Sequence, residues 1–74
     1  MTAEQIAREV VAYRLKLLAL STRYTGGERT LVGQEALAGA DALTCLLEEA
    51  PLEQRRAIDY LIDRYEALRA RCLS

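Results

Sequence analysis

Histidine, tryptophan and phenylalanine are absent from this 74-residue chain, proline occurs once, and there are only two cysteines, Cys45 and Cys72. Each shortage removes something. Without histidine and with two thiols, a four-ligand zinc site from Cys and His cannot be assembled within one chain. No Asp/Asn/Gly loop of calcium-binding type is present either. The usual catalytic sets of acid, base and nucleophile cannot be drawn, because there is no imidazole, no glycine-rich phosphate loop and no pair of carboxylates converging on a pocket. Cys45 falls on the polar side of an acidic segment, which raises a thiol pKa and makes a poor nucleophile. The expectation is a protein that is not an enzyme and holds no cofactor or metal.

No run approaches the ~20 apolar residues that span a bilayer. At the N-terminus Glu4, Arg8 and Glu9 interrupt what a signal peptide would keep apolar. If the segments on either side of Pro51 form a helical hairpin, Cys45 and Cys72 sit about fifteen positions out of register. That is roughly 22 Å at ~1.5 Å per residue, beyond the ~7 Å reach of a disulfide. Two free thiols, no signal and no membrane span predict a cytoplasmic protein.

What is present is helix pattern. Thr2 followed by Gln5 fits a capping box. From there Ile6, Val10, Tyr13, Leu17, Leu20 and Tyr24 recur at spacings of four and three, a heptad seam. Gly26 and Gly27 are expected to end that helix with positive φ values. A second helix is expected to begin near Thr30, with its hydroxyl as the cap. Its buried face would be Val32, Ala36, Gly39, Ala40, Leu43, Leu46, Leu47 and Ala50. Gly33 and Gly39 each cost about 1 kcal/mol relative to alanine. The expected return at Gly39, among Ala36 and Ala40, is close approach of another backbone; at Gly33 it is that or an irregular helix start. Pro51 breaks the chain again and suits the first turn of a third helix. There Ile58, Leu61, Tyr65, Leu68 and Cys72 form a second seam, and Arg55 and Asp59 an exposed i,i+4 pair. The fold expected is all-α: a long N-terminal helix plus a helical hairpin broken at Pro51, one domain over residues 1–74.

Net charge is −1 but unevenly spread. Residues 1–29 hold five bases against three acids, residues 30–51 four acids and no base, residues 52–74 five arginines against four acids. DNA binding by a helix-turn-helix is the alternative such a layout must answer. The natural recognition helix, the second, is acidic, and acids interrupt the arginines of the third, so nucleic acid is not the expected partner.

A chain this short buries only about 60% of its unfolded surface, and its core rarely supplies more than roughly 3–5 kcal/mol. Disulfides and metals being excluded, a second protein chain is the remaining source of support. The first helix offers one: besides its seam it carries another apolar line, Val11, Leu15 and Leu18, rotated about 145° at 100° per residue. Either the other two helices cover both lines, or one line faces the hairpin and the other a twin. The expectation is a helical homodimer, with self-association assigned to Ile6, Val10, Tyr13, Leu17, Leu20 and Tyr24. Tyr60, between Arg56 and Arg64 and off the seam, is assigned to a partner surface, since a half-exposed tyrosine packs its ring while its hydroxyl stays satisfied. The function expected is a small protein-binding module. Regulation or inhibition of a larger bacterial or phage target is the leading form, and a chaperone, adaptor or assembly subunit holding a partner helix is the alternative.

Overall fold

In the computed structural model, which describes all of residues 1–74, three helices account for nearly the whole chain. They are α1 (Ala3–Thr25), α2 (Arg29–Glu49) and α3 (Leu52–Leu73). The molecule measures 37 × 18 × 15 Å, the long dimension being that of a single helix of 23 residues at ~1.5 Å each. Three cross-contacts set α1 and α3 parallel and in register. Gln54 donates to the Ala3 carbonyl, the Tyr65 hydroxyl to the Tyr13 carbonyl, and the Arg71 guanidinium lies over the Tyr24 ring. Residue n of α1 is therefore level with residue n plus about fifty of α3. α2 runs back between these two chain segments, tied to α1 by Arg23 donating to Glu35 at 2.9 Å.

Sequence dictates the ends of the helices to different degrees. At the start of α1 the capping box is complete: Gln5 N–H donates to the Thr2 hydroxyl and Thr2 N–H to the Gln5 side chain. Only Gly27 adopts positive φ, at 94°; Gly26 caps α1 in the right-handed region, its N–H donating to the Thr22 and Arg23 carbonyls. One left-handed residue is enough to reverse the chain. α2 begins at Arg29 after Glu28, with no side-chain cap, so Thr30 lies inside the first turn and does not serve as the cap. Pro51 stands one residue before α3, extended at φ −65° and ψ 157°, and it has moved Ala50 out of the helical region to ψ 141°. Arg55 makes no ion pair with Asp59. Its Nε donates to the Ala50 carbonyl, left free by the break.

The core is one cluster. α1 supplies Ile6, Val10 and Leu20, α2 and its cap supply Val32, Ala36, Ala40, Leu43, Leu46 and Ala50, and α3 supplies Ile58, Leu61, Tyr65 and Leu68. Tyr13, Leu17, Tyr24, Leu47 and Cys72 lean on its edge. The α2–α3 pair is the tighter one because α2 presents small residues. Gly39 is the decisive member. A Cβ there would stand 2.5 Å from Cε1 and 2.8 Å from Cδ1 of Tyr65. What the glycine admits is thus an aromatic ring, where the sequence suggested another backbone. Gly33 sits inside a regular stretch of α2, where a Cβ would stand 3.2 Å from Cβ of Cys72, a tight approach. Both cysteines are unbridged.

Candidate interaction surface

The heptad seam of α1 points into the bundle. Ile6, Val10 and Leu20 are buried, and Tyr13, Leu17 and Tyr24 are half-buried against the same core. That corrects the assignment of self-association to this seam: its six residues are covered by the chain's own α2 and α3 and offer no face to a twin. The physical reason is that the hairpin needs a third wall, and the longer, bulkier line supplies it. The other line is left outside. Val11, Leu15 and Leu18 are 51%, 61% and 63% exposed, stacked one turn apart at i, i+4 and i+7.

The two sides of the buried seam differ. On one side run Glu9, Lys16 and Arg23, at seven-residue spacing. Arg23 pairs with Glu35 and Glu28, and Glu9 lines a cleft with Cys45 and Glu49, so this flank faces α2. Ala7, Arg14 and Ser21 form the opposite flank, which consequently faces α3. On α3, Arg71 reaches Tyr24 and so marks the side turned to α1. Arg64 and Tyr60 precede Arg71 by seven and eleven residues, within about 20° of the same direction at 100° per residue. Arg56, a further turn earlier, is about 60° off that direction and lines an outer cleft with Leu52, Arg55 and Asp59.

The α1–α3 register puts Arg64 level with Arg14 and Tyr60 level with Val10 and Val11. Tyr60 is 63% exposed. Arg14, Arg56 and Arg64 are exposed, and none lies within ion-pairing distance of an acid. Glu53, in the first turn, shares the direction of Arg71 and complements the helix dipole, and Asp63 lies within about 20° of the direction of Arg56. Of the residues assigned to a partner surface, Tyr60, Arg56 and Arg64 are all exposed, and Tyr60 and Arg64 share the side of α3 that Arg71 turns to α1. Arg14 is not legible as part of this group, since it lies forty-six residues from Tyr60 and approaches it only through the parallel packing of α1 and α3.

Elsewhere the surface offers less. A cleft of about 310 Å³ between the start of α2 and the end of α3 is lined by Arg29, Gly33, Leu37, Arg69 and Cys72 among others. Arg29 and Arg71 both lie over the Tyr24 ring, at 5.2 and 5.1 Å from its centroid, so Arg71 is committed to a cation–π contact. No three His, Cys, Asp or Glu side chains converge as a metal site, and no helix is long and apolar enough to cross a membrane. The one group with a marked pKa shift is Tyr65, pushed up to about 12 by burial and secondarily by Tyr13. It works inside the core, where its hydroxyl donates 2.6 Å to the Tyr13 carbonyl and its ring meets the Tyr13 ring edge to face at 6.2 Å. No protein family, curated protein or solved structure matches this chain.

Proposed function

We propose that this chain is a small helical protein-binding module, a regulator or inhibitor that docks on a larger bacterial or phage target through the outer face of α1. One observation carries the reading: after the bundle has closed, Val11, Leu15 and Leu18 still stand in a continuous exposed line on its longest helix. Apolar residues scattered singly over a surface need no explanation, but an ordered line at helical spacing is the pattern by which one helix seats another. The rigid core beneath supports this use, because α1 can present its outer face without rearrangement. The test is selection of helical peptides from a displayed library on the folded protein, with the Leu15→Asp, Leu18→Asp double variant as counter-selection. Ligands that are lost on the double variant support the proposal. Ligands that bind parent and variant alike refute it.

The same line supports a second reading, a helical homodimer, because i, i+4, i+7 spacing on one straight helix is complementary to itself about a two-fold axis. Light scattering over a concentration series decides it. A mass that doubles for the parent and stays single for Leu15→Asp supports a twin, and a mass that stays single for both retires it.

A further inference from the structure

The open line of α1 belongs to a second heptad pattern on the outside of the helix: Arg8, Val11, Leu15, Leu18, Thr22 and Thr25, at alternating spacings of three and four. All six are exposed. The leucines stand in the middle, and Arg8, already paired with Glu4, marks one end. At the other end the Thr22 hydroxyl donates to the Leu18 carbonyl and the Thr25 hydroxyl to the Thr22 carbonyl. Neither threonine would therefore bring an unsatisfied donor into a covered contact, and each can present its methyl group. Reversed, the pattern overlays itself where residue numbers sum to 33. Leu15 then falls on Leu18, Val11 on Thr22 and Arg8 on Thr25, the layers of an antiparallel helix pair about a two-fold axis. The flanks agree with that pairing. Ala12 and Ala19 lie on one side of the pattern, Arg14 and Ser21 on the other. Reversal sets Ala12 beside Ala19 of the twin, which lets the two helices approach closely, and gives Arg14 Ser21 of the twin as its nearest neighbour on the facing flank. Lys16 points about 130° away from the open line and stays outside the contact. A parallel pair in register would instead set Arg8 against its own image.

Resting on the homodimer reading, we propose that the outer face of α1 is an antiparallel contact between two copies of this chain, with the two-fold axis passing between Leu15 and Leu18. Leu15 of each copy packs on Leu18 of the other, Val11 packs on the Thr22 methyl group, and the two hairpins stand on opposite sides of the paired helices. From Arg8 to Thr25 the contact is about 26 Å long at ~1.5 Å per residue. One helix face from each copy is near the lower size limit of stable interfaces, about 1,000 Å² in total, so the association is expected at roughly micromolar concentration or above.

Light scattering tests the association and disulfide cross-linking its direction, both on the full chain carrying Cys45→Ser and Cys72→Ser to remove the two free thiols. The mass of this background protein is expected to double as its concentration rises towards about 1 mM. Val11→Cys together with Thr22→Cys should then give covalent dimers on mild oxidation, because the two positions meet across the axis. Within one chain they lie eleven residues apart, about 16 Å along the helix, too far to bridge. Thr22→Cys alone should run as a monomer on a non-reducing gel, since the same distance of about 16 Å separates it from its image. Positions 11 and 22 are exposed, so circular dichroism should show parental helix content in every variant. Cross-linking by Thr22→Cys alone as readily as by the pair would show a parallel contact, overturning the antiparallel proposal while the homodimer reading stands. A protein that doubles in mass but cross-links in neither variant has its twin on another face, which overturns both. A mass that stays single at every concentration also overturns both, and leaves the open line to a different protein.

Discussion

Gly39→Ala is the substitution on which the packing argument stands most exposed. Helix propensity alone predicts a gain, because alanine is favoured over glycine within a helix by about 1 kcal/mol. The structure predicts a loss. A Cβ at position 39 would meet three atoms of the Tyr65 ring within 3.2 Å, the nearest at 2.5 Å. The ring has no easy retreat: it is fully buried, its hydroxyl is anchored on the Tyr13 carbonyl and its face is met by Tyr13. Overpacking costs about 1–3 kcal/mol in general, and a 2.5 Å approach to a ring that cannot retreat belongs at the upper end, about 2–3 kcal/mol. Less the propensity gain, the net loss is about 1–2 kcal/mol, a large fraction of the roughly 3–5 kcal/mol a core of this size supplies. The melting temperature should fall by roughly 5–15 °C. Urea unfolding followed by far-ultraviolet circular dichroism gives the free energy. The double variant Gly39→Ala, Tyr65→Leu isolates the cause, since with the ring gone the alanine should cost nothing or stabilise. A Gly39→Ala protein as stable as the parent, or two losses that simply add, would refute the ring-in-glycine account.

Gly33→Ala should behave differently: its Cβ would meet only the Cys72 side chain, 3.2 Å away at the last turn of α3, which can yield, so urea unfolding should show no loss or a gain of up to about 1 kcal/mol. Tyr65 gives a pH signature. Its pKa is about 12 in the fold against an ordinary 10.0, so the stability it contributes is complete below about pH 10 and is lost as pH rises through about 12, roughly 2–3 kcal/mol in all. Tyr65→Phe should cost about 1 kcal/mol at neutral pH for the lost hydrogen bond, and its urea midpoint should lack that share of the alkaline decline; an unchanged decline would show that other groups cause it. Leu17→Asp and Leu15→Asp, two residues apart, should separate core from surface. The first puts a charge against the core and should cost about 2 kcal/mol or more, while the second, at an exposed position, should stay within about 0.5 kcal/mol. Equal thermal melts for the two would mean that α1 does not sit as described.

By itself the sequence determined the helices and most of their inward faces. The capping box at Thr2 and Gln5 and the break at Pro51 are local chemistry, settled within a few residues. The apolar residues of α2 and α3 that repeat on one side of each helix are the ones that became core, because a helix with a single apolar stripe has only one way to bury it. Glu28 in place of Thr30 at the start of α2 shows the limit of local reading, since the Gly27 turn fixes where the chain can re-enter a helix.

Only the tertiary structure decided between the two apolar lines of α1. Periodicity shows that both lines exist but carries no information on which one the hairpin will occupy, so the assignment of self-association to Ile6, Val10, Tyr13, Leu17, Leu20 and Tyr24 fell on the side that the bundle covers. The ring that fills the space over Gly39 was equally invisible, because Tyr65 and Gly39 meet across two helices. The grouping of Arg14 with Arg64 and Tyr60 has the same origin. Residues far apart in the chain become neighbours only through the register in which α1 and α3 pack, and that register is set by contacts such as Tyr65 with Tyr13 that no single helix encodes.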